Sequence, residues 1–344
     1  MQFAYLNRKD SHPTLDGYAK SVDAVFHRNN TVNTSAFNQL WYIMKFLFTF
    51  KYRRFDAIIT NGPLPMAAMI KFLSFGRLKL VNTQASAVIL YDYFNNRLSK
   101  RYAYLLRHLT NYYDLHICTG EIQYDLSIKM LSDKSTAKVV ESFNGVSPER
   151  FASLQNVNYN PNSSVLISLS NLSSMDHVFV KGFDTMVKIF STISNEFPEL
   201  EYSHIGYVAP EVILKLKSDN PNANWSKINF VGRQSDLDSW FGNAVAMMHL
   251  SRLDAFPVAV TESFSASLPT FISDKVGITK MYTNIEEGQL FIVDDKSAVS
   301  NICSFLKLNS DKKSSISSSF SQVSTSYTAD KAEENFRNIV SDNL

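Results

Sequence analysis

The sequence predicts an α/β protein built from two parallel-sheet domains, and three observations carry that prediction. The chain has 344 residues, room for about two domains of ordinary size. Short apolar runs alternate along it with longer amphipathic stretches, the rhythm of parallel strands covered by helices. The rhythm runs twice. Between the two runs lies 151–164, FASLQNVNYNPNSS, which combines Asn, Pro and Ser without periodicity, as a linker does.

In the first half, 57–60 (AIIT), 78–82, 115–118 and 138–141 read as buried strands, and 66–73, 98–111 and 124–131 as helices. In the second half, 165–169 is a strand, 183–196 a helix, and 202–205 and 228–231 are strands. A short helix at 237–241, a strand at 244–249, a helix at 258–267 and a strand at 270–272 follow. The Ser-rich stretch 312–326 reads as a polar helix plus loop. The expected organisation is a first domain at 1–155, a second at 156–326, and a terminal helix in 327–344 packing back towards the first. Two such domains enclose a cleft. Ligands of open α/β sheets bind beyond the carboxyl ends of the strands, so that cleft is the expected site.

Composition excludes several classes. Hydrophobic residues make up 45% and charged residues 19% of the chain, the balance of a folded globular protein rather than a disordered one. Two cysteines, Cys118 and Cys303, allow neither a disulfide framework nor a multi-cysteine metal site, and they fit a reducing compartment. Residues 1–20 hold no apolar core of a secretion signal, and the most apolar stretch, 41–50, is short and contains Lys45. Neither a signal peptide nor a membrane span is therefore expected, and the protein is read as cytoplasmic. No glycine-rich phosphate loop, no G-x-S-x-G elbow and no histidine pair at metal-ligand spacing occurs. Asp236-Leu237-Asp238 directly precedes Trp240-Phe241, which favours capping of a short helix over metal binding. Charge is uneven: 1–150 holds 19 Lys and Arg against 11 Asp and Glu, a net +8, whereas the remainder is −6. The basic half is expected to meet something anionic.

Three segments of the second half carry chemistry. At 165–190 a strand and a polar loop lead to Lys181-Gly182-Phe183-Asp184, opening an amphipathic helix. A cation beside the N–H groups of a helix start suits phosphate oxygens; a solvated lysine beside a turn glycine is the alternative. At 251–269, SRLDAFPVAVTESFSASLP, Asp254 stands in a loop and Glu262 on the second turn of the next helix. Two carboxylates near a sugar suit hydroxyl recognition, and free N–H groups around 256–259 suit a diphosphate. A turn cap and an exposed helix face are the alternative here. At 270–295 a strand is followed by Ser273-Asp274-Lys275-Val276-Gly277-Ile278.

In order and spacing these segments resemble the donor-binding domain of glycosyltransferase family 4, the retaining GT-B enzymes. The matching stretches are Lys181-Gly182-Phe183-Asp184, Ile205-Gly206, Ile228-Asn229-Phe230-Val231-Gly232, the run from Ser251 to Thr270, and Ser273 to Ile278. More loosely, Asp56-Ala57-Ile58-Ile59, 114–119 and the segment from Asn144-Gly145-Val146 to Phe151 resemble the family's first half. The resemblance implies the GT-B architecture, two Rossmann-like domains facing each other across a cleft. It implies retaining, metal-independent transfer of a sugar from a UDP- or GDP-linked donor, with no cofactor. The acceptor it suggests is a glycan or lipid-linked saccharide of a surface polysaccharide such as lipopolysaccharide or capsule.

By the same resemblance Lys181 contacts the donor diphosphate, Glu262 the nucleotide ribose and Asp254 hydroxyls of the transferred sugar, and these three form the catalytic set. The amides of Phe256, Val258 and the neighbours of Pro257 complete the cradle. Gly17 brings its backbone to the phosphate. Gln84 lies on the acceptor side, where many members have a histidine near the anomeric centre. Asn171 stands where the family has a diphosphate arginine. That replacement loses a charge-assisted bond of roughly 1.5–3 kcal/mol unless Arg233 or Arg252 substitutes. Ser267 stands in place of a family glycine.

Residues 41–55, WYIMKFLFTFKYRRF, suit either an anionic membrane surface or a core helix with a charged edge, and the charge of this half favours peripheral contact at the inner membrane face. No nucleic-acid module is present. Two other readings stay open: a GT-B partner subunit without catalysis, and another GT-B enzyme such as a phosphorylase or epimerase.

Overall fold

The structure, a computed structural model, describes residues 1–8, 13–29, 54–84 and 87–344. The chain divides into two compact units, one of Met1–Asn144 with Ala329–Leu344 and one of Gly145–Thr328. The first holds β1 (Phe3–Arg8), α1 (Pro13–Ser21), β2 (Val25–Asn29), β3 (Ala57–Asn61), α2 (Pro65–Leu73), β4 (Lys79–Gln84), α3 (Val88–Phe94), α4 (Lys100–Tyr112), β5 (Leu115–Thr119), α5 (Glu121–Met130) and β6 (Lys138–Ser142). The second begins with α6 (Pro148–Leu154), β7 (Val165–Leu169), α7 (Met175–Lys181), α8 (Phe183–Glu196), β8 (Glu201–Ile205), α9 (Pro210–Asp219) and β9 (Ile228–Gly232). It continues with α10 (Leu237–Gly242), β10 (Ala246–His249), α11 (Val258–Ser265), β11 (Thr270–Ser273), β12 (Ile292–Val293), α12 (Ala298–Leu306) and α13 (Ser310–Ser324). The last helix, α14 (Ala329–Asn343), belongs to the first unit.

Among the described residues each unit is built on one six-stranded sheet of parallel pairs, ordered β2-β1-β3-β4-β5-β6 and β12-β11-β10-β7-β8-β9. The first sheet is buried on both faces. Tyr5, Ile59, Val81 and Ile117 pack with Tyr18 of α1 and Phe336 of α14 on one side; Leu6, Ile58 and Leu80 pack with Met66 and Ile70 of α2 on the other. Strands covered on both faces have no polar side to show, which is why they read as continuous apolar runs. In the second unit α8 buries Phe183, Met186, Val187, Phe190 and Ile193, one stripe at helical spacing.

Two placements differ from expectation. The polar loop after β7 contains a helix, α7, capped by Ser174, whose side chain accepts from the His177 amide. Lys181 is therefore the last residue of α7 rather than the first of α8. Gly182 joins the two helices at φ +65, and a Cβ there would lie 1.9 Å from the Leu250 carbonyl oxygen, so only glycine lets α7 turn so close to the β10 loop. The unit boundary falls at Asn144, ahead of the Asn- and Ser-rich stretch 151–164, because α6 packs on α11 of the second unit. The Ser-rich segment is helical, α13, and seats Phe320 against the rings of Phe264, Tyr282 and Phe291. Of the basic aromatic stretch 41–55, residues 41–53 lie outside the described residues. Among the described residues no helix is long and apolar enough to cross a membrane.

Ser267 follows α11 at φ +59, a left-handed conformation that costs a non-glycine residue roughly 1–2 kcal/mol. Glycine gives back part of that relief as extra unfolded-state entropy, about 0.5–1 kcal/mol. Ser267→Gly is expected to raise stability by about 0.5–1 kcal/mol, read as a higher midpoint in urea unfolding; an unchanged or lower midpoint refutes the account.

Candidate active site

The strand order of the second sheet creates the site. The chain runs from β7 outward through β8 to β9, then returns to the other side of β7 with β10. Leu166 and Ile167 pair with Ala246 and Met247 across that reversal. The segments leaving β7 and β10 meet beyond the carboxyl end of the sheet, where the Arg252 amide donates to the Val180 carbonyl at 2.8 Å; such a reversal of strand order is where open α/β sheets bind ligands. Lys181 arrives from the β7 side and Asp254 from the β10 side. Lys181 Nζ donates to Asp254 Oδ2 at 2.7 Å.

His249, the last residue of β10, reaches the same oxygen: its Nε2 lies 3.2 Å from Asp254 Oδ2, and Ser251 Oγ lies 3.1 Å from that nitrogen. The Asp254 loop is tied to the Ser273–Ile278 motif by the Gly277 amide, which donates to the Asp254 carbonyl at 2.9 Å. The Asp254 side chain is 17% exposed. Burial pushes its carboxyl up, but the hydrogen bond and charge of His249 and the charge of Lys181 outweigh burial and hold it at about 2. The carboxylate is thus ionised throughout the neutral range, with Oδ2 occupied.

Glu262 lies in a second cluster, on the second turn of α11. Arg150 of α6 donates from Nε to Glu262 Oε1 at 3.4 Å, and from Nη1 to Asp238 Oδ1. Ser153 also donates to Asp238. Burial raises the Glu262 carboxyl, Arg150 opposes that shift and Asp238 reinforces it, leaving the group above its ordinary value. Arg150 Nη2 is buried without a hydrogen-bond partner among the described residues, so the guanidinium keeps donor capacity in reserve.

Arg150 and His249 are functional candidates that motif reading passes over. A signal for Arg150 exists in the sequence. Ser147 caps α6 and Pro148 opens it, so Arg150 is a cation in the first helical turn, where the helix dipole disfavours it. It needs an anion from elsewhere in the chain. His249 is a polar residue ending a fully buried strand, and a buried imidazole requires partners.

The remaining expected residues fall as follows. Phe256 is buried and packs its ring near Tyr327, and Pro257 precedes α11. The N–H groups of Ala255, Phe256, Val258 and Ala259 make no hydrogen bond among the described residues, so the helix start presents open donors. Asn171 and Arg233 line one cavity of about 360 Å³ with Ser170, Gly206 and Gln234. Asn171 Oδ1 accepts from the Tyr207 amide at 3.0 Å, and Arg233 lies 5.7 Å from the Tyr207 ring centre. Ser170 has a buried hydroxyl without a partner among the described residues.

Two expectations are corrected. Arg252 is no spare cation: it pairs with both oxygens of Asp184 at 2.7 and 2.9 Å and donates to Thr185 and the Phe179 carbonyl. Gly17 is in no phosphate loop: it sits inside α1, where an added Cβ would lie 2.9 Å from Glu333 Oε1 of α14. As expected, Asp236 caps α10, accepting from the Ser239 amide at 3.1 Å, and Asp238 pairs with Arg150. Gln84 ends β4 opposite Cys118; its side chain lies outside the described residues. Among those residues no group of three or more His, Cys, Asp or Glu is placed to hold a metal ion.

Because the Asp254 carboxyl titrates lower when folded than when unfolded, its contribution is present above about pH 4 and lost as pH falls towards 2. Asp254→Asn is expected to cost about 2 kcal/mol at pH 7, with the deficit to wild type shrinking between pH 4 and 2. Urea unfolding across that range checks it; a pH-independent deficit refutes it.

Residues 155–319 match the model of the family Glycosyl transferases group 1. No curated protein matches the sequence. Among solved structures the chain is similar to Alr3699/HepE of Anabaena in complex with UDP, at 15% identity and a TM-score of 0.74 over 99% of this chain and 100% of that one. It is also similar to the apo form of the lipopolysaccharide outer core galactosyltransferase WaaB, at 12% identity and a TM-score of 0.71 over 100% of both chains. A third likeness is to the E. coli trehalose-6-phosphate structure bound with UDP-2-fluoro glucose, at 11% identity and a TM-score of 0.70 over 98% of both. The chain therefore has the GT-B fold, and its second unit matches the group 1 glycosyl transferases.

Proposed function

We propose that the protein is a retaining glycosyltransferase that moves a sugar from a UDP- or GDP-linked donor to a glycan or lipid-linked saccharide of a surface polysaccharide, without a metal or other cofactor. The observation that carries this reading is the meeting of Lys181 and Asp254 beside the open N–H groups of α11, in a unit that matches the group 1 family. Lys181 turns from Asp254 to the donor diphosphate when the donor arrives. As the bond between the anomeric carbon and the diphosphate oxygen breaks, negative charge grows on the phosphate. Lys181 and the N–H groups of Val258 and Ala259 stabilise it where it develops. The acceptor hydroxyl attacks from the face the diphosphate leaves, and its proton passes to the departing phosphate oxygen.

Asp254 accepts from sugar hydroxyls through Oδ1 and the face of Oδ2 that Lys181 vacates, while His249 keeps its contact with Oδ2. Glu262, oriented by Arg150, accepts from the ribose hydroxyls. Arg233 supplies the second cation for the diphosphate, since Arg252 is committed to Asp184. UDP is the favoured nucleotide: the HepE structure holds UDP and the E. coli structure a UDP-sugar. Two buried free thiols, Cys118 and Cys303, suit a reducing compartment such as the cytoplasm, and a lipid-linked acceptor would put the work at the inner face of the membrane.

Calorimetry of the wild-type protein with UDP, GDP, ADP and CMP, without added metal, tests the reading. UDP is expected to bind best. Lys181→Ala and Glu262→Gln are each expected to weaken it about tenfold or more, the loss of one charge-assisted bond. Binding of no nucleotide points instead to a partner subunit without catalysis. Wild-type affinity in either variant refutes the site assignment.

A further inference from the structure

The first unit carries a surface that the transfer reaction does not use. α2 connects β3 to β4, and α3 and α4 connect β4 to β5; both steps run in the same direction across the sheet, so right-handed crossovers put α2 and α4 on the same face. They touch there: Lys71 Nζ of α2 donates to the Tyr112 carbonyl of α4 at 3.1 Å and lies 4.9 Å from its ring centre. The inward sides of the pair are set by Met66, Ala67 and Ile70 on α2 and by Leu106 and Thr110 on α4, all buried.

The outward sides are unusual for a surface in water. Phe72 is 75% exposed, Tyr104 69%, and Phe75, in the turn after α2, 100%. Leu105 and Tyr112 of α4 are exposed as well. Neither 64–79 nor 98–113 contains an Asp or Glu. Lys100, Arg101 and Arg107 of α4 are exposed and make no ion pair among the described residues. Lys71 and Lys79, by contrast, are already neutralised by Asp114. The face thus joins protruding aromatic rings to unpaired cations, and Asp114 at its edge is already paired with Lys71 and Lys79. Cations meet anionic headgroups while aromatic and aliphatic tips enter the boundary beneath, and neither group gains from the other's usual partner. A nucleic-acid duplex, its bases already stacked on one another, would satisfy the cations and leave the phenylalanines in water.

We propose that this α2–α4 face docks the first unit on an anionic lipid surface, with Phe72 and Phe75 inserted and Lys100, Arg101 and Arg107 at the headgroup phosphates. The proposal is independent of the donor chemistry. It is tested by co-sedimenting the full-length protein, without nucleotide, with phosphatidylcholine vesicles made with and without phosphatidylglycerol. Wild type is expected on the phosphatidylglycerol vesicles only, and less so as salt is raised. The pair Phe72→Ser, Phe75→Ser and the pair Lys100→Glu, Arg101→Glu are each expected to lower partitioning by about tenfold or more. Both are surface changes, so melting temperature and UDP affinity stay at wild-type values. Absence of wild-type binding, or wild-type partitioning of the phenylalanine pair, overturns the proposal. Loss of binding in Lys51→Glu, Arg53→Glu alone also overturns it, by moving the contact to 41–55.

Discussion

The second unit depends on one constraint, the pairing of β7 with β10. The six strands of that sheet could pair in chain order and still form a stable layer, but β7 and β10 would then not be neighbours. Because the chain goes one way from β7 and comes back on its other side, two connections far apart in sequence leave neighbouring strands and come together beyond them. Side chains with |i−j| of 73 meet there, Lys181 with Asp254. The apolar residues that hold the pair, Leu166, Ile167, Ala246 and Met247, are fully buried, so the position of the charged groups is set by the core beneath them rather than by the charges themselves.

The electrostatics follow from that placement. A carboxylate moved out of water is disfavoured unless cations and donors compensate. Asp254 has Lys181 and His249 on one oxygen and remains strongly acidic. Glu262, with only a single longer contact from Arg150 and a second acid, Asp238, nearby, is shifted the other way. Two carboxylates that look alike in the sequence are thus in opposite electrostatic states. Arg150 also joins α6 to both α10 and α11, which explains why the compact unit begins at Gly145, before the stretch that composition marks as a linker.

Much of the fold was legible because burial leaves a periodic trace. The run 165–169 is β7 and 183–196 is α8, end to end, since one is a short apolar run and the other an apolar stripe at helical spacing. α7 was not legible. Its seven residues, MDHVFVK, bury only Val178, too little to leave a period. Gly17 misled for a related reason: a lone glycine near a chain start suggests a loop, whereas here it lies inside α1 with Glu333 of α14 beside it, and nothing near Gly17 in sequence signals a helix from the far end of the chain.

By itself the sequence determined the class of the protein, the alternation of strands and helices, and the residue types that suit a diphosphate and a sugar. These are local properties: periodicity, turn chemistry and motif order all lie within short windows. Only the tertiary structure decided which cation meets which anion. Lys181 went to Asp254 and Arg150 to Glu262, while Arg252, closer in sequence to both carboxylates than either, was taken by Asp184. Charge pairing depends on distance in space, and that distance is set by strand order and by the core, to which separation along the chain is no guide.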